Sequence, residues 1–318
     1  MYHQANIDLL ESEQPVSVGN SPFILDNETR YRQWRDEKLL LRNELDPLEV
    51  FRLNDDNSLA EADSESLKRR VMAYNFVLYE LGSGDRQSPK QNFLDINQKF
   101  GLYNFEVRTD ADDIGVSELK DVGPDDSRSQ YVPYTGRGLN WHTDGYYNSI
   151  QQQISAFALY CVRPAAKGGG SYLFDHELMY IRIRDTAPEL IEALMADDLM
   201  VIPANVQSNK VVRPEQSGPV FSICPGSGAL HMRYSARPRN IGWKSDKASL
   251  RAINLIREVL IDDSGVIEFK LEAGQGIICN NLLHGRQAFS DSDPSQTRLL
   301  YRVRYLDSIS LDNSSWAG

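Results

Sequence analysis

The sequence predicts a mainly β fold, a β-sandwich or jelly-roll barrel with helical additions. Three observations carry this. Beyond Ser129 the chain breaks into many short β-rich runs separated by Pro/Gly turns. The first hundred residues instead place apolar side chains at helical spacing. No internal repeat or low-complexity tract divides the 318 residues, so one barrel domain fits better than two independent ones.

Taken in order, residues 1–24 are polar, contain Pro15 and Pro22, and read as a loosely held arm. Residues 25–318 then form the single domain, with a mainly helical part at about 25–125. A first helix starts at Asp26 or Asn27 as cap and runs through Tyr31, Trp34, Leu39 and Leu40. An acidic, Asn-rich link covers 56–63. Leu67, Val71, Tyr74, Leu78 and Leu81 then recur as a second helix, with Asp63 or Ser64 as cap and Gly82 as stop. A third amphipathic stretch spans 90–100. The β-rich runs lie at 130–134, 154–162, 171–174, 199–203, 220–224, 229–234, 266–271, 275–279 and 299–306. Pro225-Gly226-Ser227-Gly228 and Ala273-Gly274-Gln275-Gly276 read as hairpin turns. Helices interrupt the strands at 176–196 and 246–261, the second with Leu250, Ile253, Ile256 and Leu260 on one face.

Composition narrows the function. A net charge of −11 and a pI near 5.0 repel phosphate backbones, and no basic patch offsets them, so nucleic acid is not the expected partner. Cys161, Cys224 and Cys279 are scattered, each in an apolar run, and read as reduced buried thiols. The first residues lack the basic region of a signal peptide, and no apolar run is long enough to span a membrane. A cytoplasmic protein is expected. The oligomeric state is not encoded in any feature of the sequence.

The chemistry centres on Gly138-Leu139-Asn140-Trp141-His142-Thr143-Asp144-Gly145-Tyr146-Tyr147. On a strand, residues i and i+2 share a face, so His142 and Asp144 reach one ion while Thr143 turns away. The best third ligand is His284, in Leu282-Leu283-His284-Gly285-Arg286. Two imidazoles and one carboxylate on one side of an ion leave the other side open, as in non-haem Fe(II) oxygenases. The His-x-Asp pattern alone is weak: five His and 45 acidic residues give about even odds of a chance occurrence. More specific is the run after His284, where Arg298 and Arg302 follow by 14 and 18 residues. As a strand, this run puts Arg298, Leu300, Arg302 and Arg304 on one face. A guanidinium inside a barrel needs an anion, and a dicarboxylate co-substrate supplies one.

His142-x-Asp144, Gly168-Gly169-Gly170-Ser171, Asn281-x-x-His284-Gly285-Arg286-x-x-Phe289 and Arg298 together resemble the taurine dioxygenase-like (TauD/TfdA) family of Fe(II)/2-oxoglutarate oxygenases. The Arg298/Arg302 spacing looks most like the clavaminate synthase branch. The resemblance covers about 129–306. It implies a double-stranded β-helix (jelly-roll) core, with Fe(II) held by His142, Asp144 and His284. It also implies that Arg298 binds the far carboxylate of 2-oxoglutarate, with Ser171 adding a hydroxyl where the family more often has Thr. Arg302 would then stand between co-substrate and substrate. The implied reaction consumes O2, converts 2-oxoglutarate to succinate and carbon dioxide, and oxidises a C–H bond of a small polar molecule, amino-acid-like or otherwise zwitterionic. Family halogenases lack the carboxylate ligand, so Asp144 favours hydroxylation or desaturation.

For the substrate, Trp141, Tyr146 and Tyr147 flank the ligands and are candidates to line its pocket, against ordinary aromatic packing. Arg233 is a candidate for a substrate carboxylate or sulfonate, against a structural ion pair. Asn140 and Asn281 read either as donors behind the ligands or as strand-end caps. Asp175-His176-Glu177 opens a helix, where acidic residues suit the dipole, and His231 on its strand reads as structural. A protein or peptide side chain as substrate, and a metal-binding sensor without turnover, remain the alternatives at this stage.

Overall fold

The structure is a computed structural model and describes residues 21–54, 61–82, 88–107, 111–207 and 210–311. Two sheets form its centre. The larger runs, edge to edge, Val50–Arg52, Phe76–Glu80, Gln275–Cys279, Ala156–Arg163, Leu299–Tyr305 and Ser117–Leu119. The smaller runs Ile267–Phe269, Ser171–Phe174, Leu283–Arg286 and Leu139–His142, antiparallel throughout.

Alternation along the strands sorts the side chains into layers. Phe157, Cys161, Ile277, Cys279 and Leu300 of the larger sheet share one cluster with Leu173 and Ile267 of the smaller, so the sheets pack face to face. The intervening residues, Ala158, Tyr160, Ile278 and Val303, point outward against Leu67, Phe93 and Ile96 of the helices Glu61–Tyr74 and Pro89–Lys99. Phe174 and Leu283 leave the smaller sheet on its other side. There they meet Leu178, Ile191, Ile253 and Ile256 of the helices His176–Thr186, Glu189–Leu194 and Lys247–Asp262. Arg302 and Arg304 follow Leu300 at a spacing of two, so they share its inner face.

Several local expectations are corrected. Residues 21–24 are not loose: Phe23 is core, the Ser21 hydroxyl donates to the Gly228 carbonyl at 2.8 Å, and Arg184 donates to the Pro22 carbonyl. Residues 1–20 lie outside the described residues, as do 56–60 of the link. The second helix stops at Tyr74, because Asn75 adopts the left-handed conformation (φ 59°) that Asn tolerates. Leu78 then belongs to the strand Phe76–Glu80, whose first four residues are all buried, as befits a strand covered on both faces. The N-terminal third thus supplies three strands of the larger sheet as well as helices.

The 130–134 run is not a strand but part of two 3-10 turns, Ser127–Gln130 and Val132–Tyr134. Pro133 has no N–H to give a ladder. The turn at 225–228 does join an antiparallel pair, whereas 273–276 carries the chain from the smaller sheet to the larger and is no hairpin. Pro188 splits the 176–196 helix in two. Leu250 faces solvent, and the buried stripe of its helix is Ala252, Ile253, Ile256 and Leu260.

Candidate active site

His142 ends the strand Leu139–His142, and its ladder partner is His284. Cross-strand pairing therefore sets the two imidazoles side by side, with ring centroids 4.2 Å apart. Asp144 lies past the strand end, in a turn, so the strand period alone does not aim it. Asn281 does: its Oδ1 accepts the Asp144 N–H at 2.7 Å, and its Nδ2 donates to the carbonyls of Asp144 and Ile154 at 3.0 and 2.7 Å. Asn281 makes these bonds from a left-handed backbone (φ 38°). Asn140, the other Asn weighed, offers only its carbonyl to His142.

One ligand atom from each of His142, Asp144 and His284 lies within 4.8 Å of the others. Each imidazole places Nδ1 2.8 Å from the carbonyl two residues earlier, Asn140 for His142 and Leu282 for His284. That bond puts the proton on Nδ1 and leaves the Nε2 lone pair for a metal. Burial, with the neighbouring His284, lowers His142 to about 3, and burial also lowers His284. Burial pushes Asp144 up, but Arg302 and then Arg304 outweigh it and hold the carboxyl well below the usual range. At neutral pH the set is thus two neutral imidazoles and one carboxylate, the ionisation a divalent metal requires.

The carboxylate also wants a cation. Asp144 Oδ2 is buried without a hydrogen bond among the described residues. Its Oδ1 is 3.6 Å from Arg304 and 3.8 Å from Arg302, beyond hydrogen-bond length. Residues and geometry therefore fit a bound divalent ion.

A cavity of about 330 Å³ opens at this centre. Tyr131, Pro133 and Tyr134 form one wall, Tyr146 and Tyr147 another, and Arg237, Arg302 and Arg304 bring positive charge. The Tyr146 and Tyr147 hydroxyls accept from Arg237 and Arg304 at 3.1 and 3.0 Å, and Arg304 is also paired with Glu106. Asp144 is the one acidic residue among those lining the cavity.

Arg298 is buried just before the strand Leu299–Tyr305, and its Nη1 has no partner among the described residues. Burial lowers it only to about 10, so it stays cationic at neutral pH. Gly169 (φ +75°) passes so near that a Cβ there would lie 3.7 Å from Arg298 Nε and 3.3 Å from the Phe289 Cβ. The glycine run therefore passes close beside the Arg298 guanidinium and Phe289, where a side chain at residue 169 would crowd them. Ser171 stands opposite Arg286 in the ladder, on the strand face that carries Leu173.

Two substrate candidates fall away. Trp141, the neighbour of His142 on the strand, points to the opposite face and packs edge-on against Tyr172, centroids 4.5 Å apart, outside the cavity lining. Arg233 donates to the carbonyls of Tyr146, Met200 and Gln216 at 2.7, 3.0 and 3.0 Å, so its fork is spent on main chain and faces no ligand. Asp175, His176 and Glu177 also stay structural. Asp175 caps its helix and pairs with Lys38 (2.8 Å) and Arg42 (3.2 Å), while Glu177 takes Lys38 at 2.6 Å. The residues not foreseen are Arg237, Tyr131 and Tyr134, which carry no motif; Arg304 was signalled by its spacing of two from Arg302.

The family model described as taurine catabolism dioxygenase TauD, TfdA family, matches residues 43–304. The chain belongs to the TauD/TfdA dioxygenase family. It is an Fe(II)/2-oxoglutarate-dependent dioxygenase, with O2 as the second co-substrate. A uridine-5'-phosphate dioxygenase of a Streptomyces species is 32% identical over 216 residues, covering 65% of this dioxygenase and 76% of that relative. A second of that name, from an Amycolatopsis species, is 29% identical over 185 residues (56% and 65%). Among solved structures, the non-heme iron oxygenase OrfP with Fe and alpha-ketoglutaric acid superposes with a TM-score of 0.59 at 16% identity, covering 88% and 92% of the two chains. An asparagine oxygenase complexed with Fe(II) gives 0.56 at 15% identity, covering 77% and 78%. These two likenesses speak to the fold.

The buried neutral histidines should make the metal-free dioxygenase acid-labile. His142 and His231 are both lowered to about 3, His231 by burial and then by His176 and Arg233. Their folded pKa values lie below the unfolded value, so the unfolded chain binds protons first as pH falls. Stability is full above about 6.5 and is lost toward 3, at about 1.4 kcal/mol per pH unit for each group. Metal-free protein should show this slope in denaturant titrations between pH 6 and 4, and His231→Gln should remove about one group's share. An unchanged slope contradicts the burial of a neutral His231.

Proposed function

We propose that this dioxygenase hydroxylates an unactivated C–H bond of a small polar substrate carrying an anionic group, of the nucleoside 5'-phosphate class. In this reading the two facing sheets close as a jelly roll. His142, Asp144 and His284 hold Fe(II), and Arg298 takes the far carboxylate of 2-oxoglutarate with help from the Ser171 hydroxyl. Arg302, Tyr146 and Tyr147 face the substrate. With Fe(II) and 2-oxoglutarate bound, O2 is consumed, 2-oxoglutarate is decarboxylated to succinate, and the substrate C–H bond is hydroxylated. The protein's own part is positional. The Nδ1 bonds of the two histidines fix their rings, Asn281 fixes Asp144, and the aromatic walls keep water from the reacting carbon.

The observation that carries the substrate class is the charge balance of the cavity. Arg302 and Arg237 face it, Glu106 already neutralises Arg304, and Asp144 is taken by the metal. A phosphate monoester offsets that positive excess, and a flat base suits walls of tyrosine. An amino-acid ammonium would find no free carboxylate there. The curated relatives named for uridine 5'-phosphate support the same class.

Succinate release, measured against loss of each compound in a panel, tests the reading. A pyrimidine nucleoside 5'-phosphate should give coupled turnover, and Arg237→Ala should raise its KM about tenfold with kcat little changed, since one charge-assisted contact is lost. Coupled turnover of free amino acids but of no nucleotide would overturn the substrate class.

A further inference from the structure

Arg286 lies two residues beyond His284, is buried, and forms no ion pair among the described residues. Its guanidinium instead donates to the main-chain carbonyls of Pro133, Thr135 and Arg137, at 3.4, 2.8 and 2.5 Å. The Phe289 N–H donates to the carbonyl between the last two, Gly136, at 2.9 Å. These four carbonyls belong to the 130–138 stretch, whose Tyr131, Pro133 and Tyr134 wall the substrate cavity. Elsewhere this stretch is held by Val122, whose N–H reaches the Tyr134 carbonyl, and by Asp121, which accepts the Gly136 N–H.

The same Phe289 also touches the co-substrate end. Its ring centroid is 4.8 Å from Cζ of Arg286 and 4.9 Å from Cζ of Arg298. Two buried guanidiniums thus share one ring and repel one another; neither forms an ion pair among the described residues, and the Asp121 and Asp291 charges act on them only from a distance. An anion seated on Arg298 relieves both. That repulsion joins Arg298 to the residue that holds the wall of the cavity.

We propose that Arg286 is a positioning residue, linked through Phe289 to Arg298, that lets a dicarboxylate on Arg298 firm the 130–138 wall before substrate enters. This rests on the assignment of Arg298 to 2-oxoglutarate. By linkage, substrate held by the firmed wall tightens 2-oxoglutarate by the same factor. Lysine cannot replace Arg286, since one ammonium does not span carbonyls that a planar fork reaches.

Hydrogen exchange of peptides covering 130–138 tests this on the full chain loaded with Mn(II), with and without 2-oxoglutarate, alongside calorimetry of 2-oxoglutarate binding. In wild type, 2-oxoglutarate should slow exchange there about five- to tenfold. Arg286→Lys should still bind 2-oxoglutarate but show faster exchange and no co-substrate-dependent slowing. Phe289→Leu keeps the carbonyl bonds of Arg286 in place, so its unliganded exchange should match wild type while the slowing disappears; it carries the test if Arg286→Lys does not fold. Binding of 2-oxoglutarate to wild type without slowing overturns the inference alone, as does full slowing in either variant. Calorimetry in which Arg298→Ala binds 2-oxoglutarate as tightly as wild type overturns the Arg298 assignment, and this inference with it.

Discussion

Asp144→Ala should abolish hydroxylation, lowering turnover by at least about 10²-fold, more than loss of a residue behind the ligands costs. Two effects add. The metal loses its one anionic ligand, keeping two neutral imidazoles. Arg302, now 3.8 Å from the Asp144 carboxylate, loses its one ion-pair partner among the described residues and faces the dication, while Arg304, at 3.6 Å, keeps Glu106. Loss of metal affinity should therefore exceed that of a mere missing ligand, and metal content after dialysis measures it. Asp144→Asn separates the parts: it keeps the shape, and the Asn281 bonds to the main chain of residue 144 survive. His176→Ala is the control, since His176 sits among structural partners, its Nε2 3.1 Å from the Leu230 carbonyl. Turnover surviving in Asp144→Ala but lost in His176→Ala would relocate the site.

The second large effect is at Arg298. Its guanidinium is buried with Nη1 unpaired among the described residues, and in the proposed assignment it is the counter-charge for the far carboxylate of 2-oxoglutarate. Removing it leaves a buried carboxylate unpaired, at a cost of about 3–5 kcal/mol. Arg298→Ala should therefore raise the KM for 2-oxoglutarate by at least about 10²-fold, with kcat at saturation changed far less because that end of the co-substrate is remote from the reacting carbon. Arg298→Lys restores the charge without the fork and should recover part of the loss. Arg286 lies against the same Phe289 ring and makes an internal comparison: its loss should act on substrate KM more than on 2-oxoglutarate KM. An unchanged co-substrate KM in Arg298→Ala removes the assignment.

Much of this centre was legible in the sequence because strands carry a period of two. Arg302 and Arg304 could be put on one face from Leu300, and the pairing of His142 with His284 needed only that distant strands meet. Asp144 was reached for a partly wrong reason, since the strand ends at His142 and Asn281 aims the carboxylate. Trp141 was misjudged although the same period, applied to the neighbour of a ligand, sends it to the other face. Arg233 could not be read, because three carbonyls from separate segments satisfy it and no local pattern announces them. The helical spacing of Leu67, Val71 and Tyr74 was real, and its continuation to Leu78 and Leu81 was a coincidence. Asn75 turns the chain, and the dense apolar run 76–79 takes up a place in the sheet that only long-range packing offers. Arg237 and the tyrosines of 130–138 lie on irregular chain, where periodicity gives no signal at all.

The central claim is that His142, Asp144 and His284 hold a single Fe(II) with open positions for 2-oxoglutarate. Anaerobic titration of metal-free protein with Fe(II) in the presence of 2-oxoglutarate measures this most directly. A weak visible charge-transfer band should grow and saturate at one Fe(II) per chain, and His284→Ala should lose it. Metal binding without the band, or a band of full strength in His284→Ala, contradicts the account.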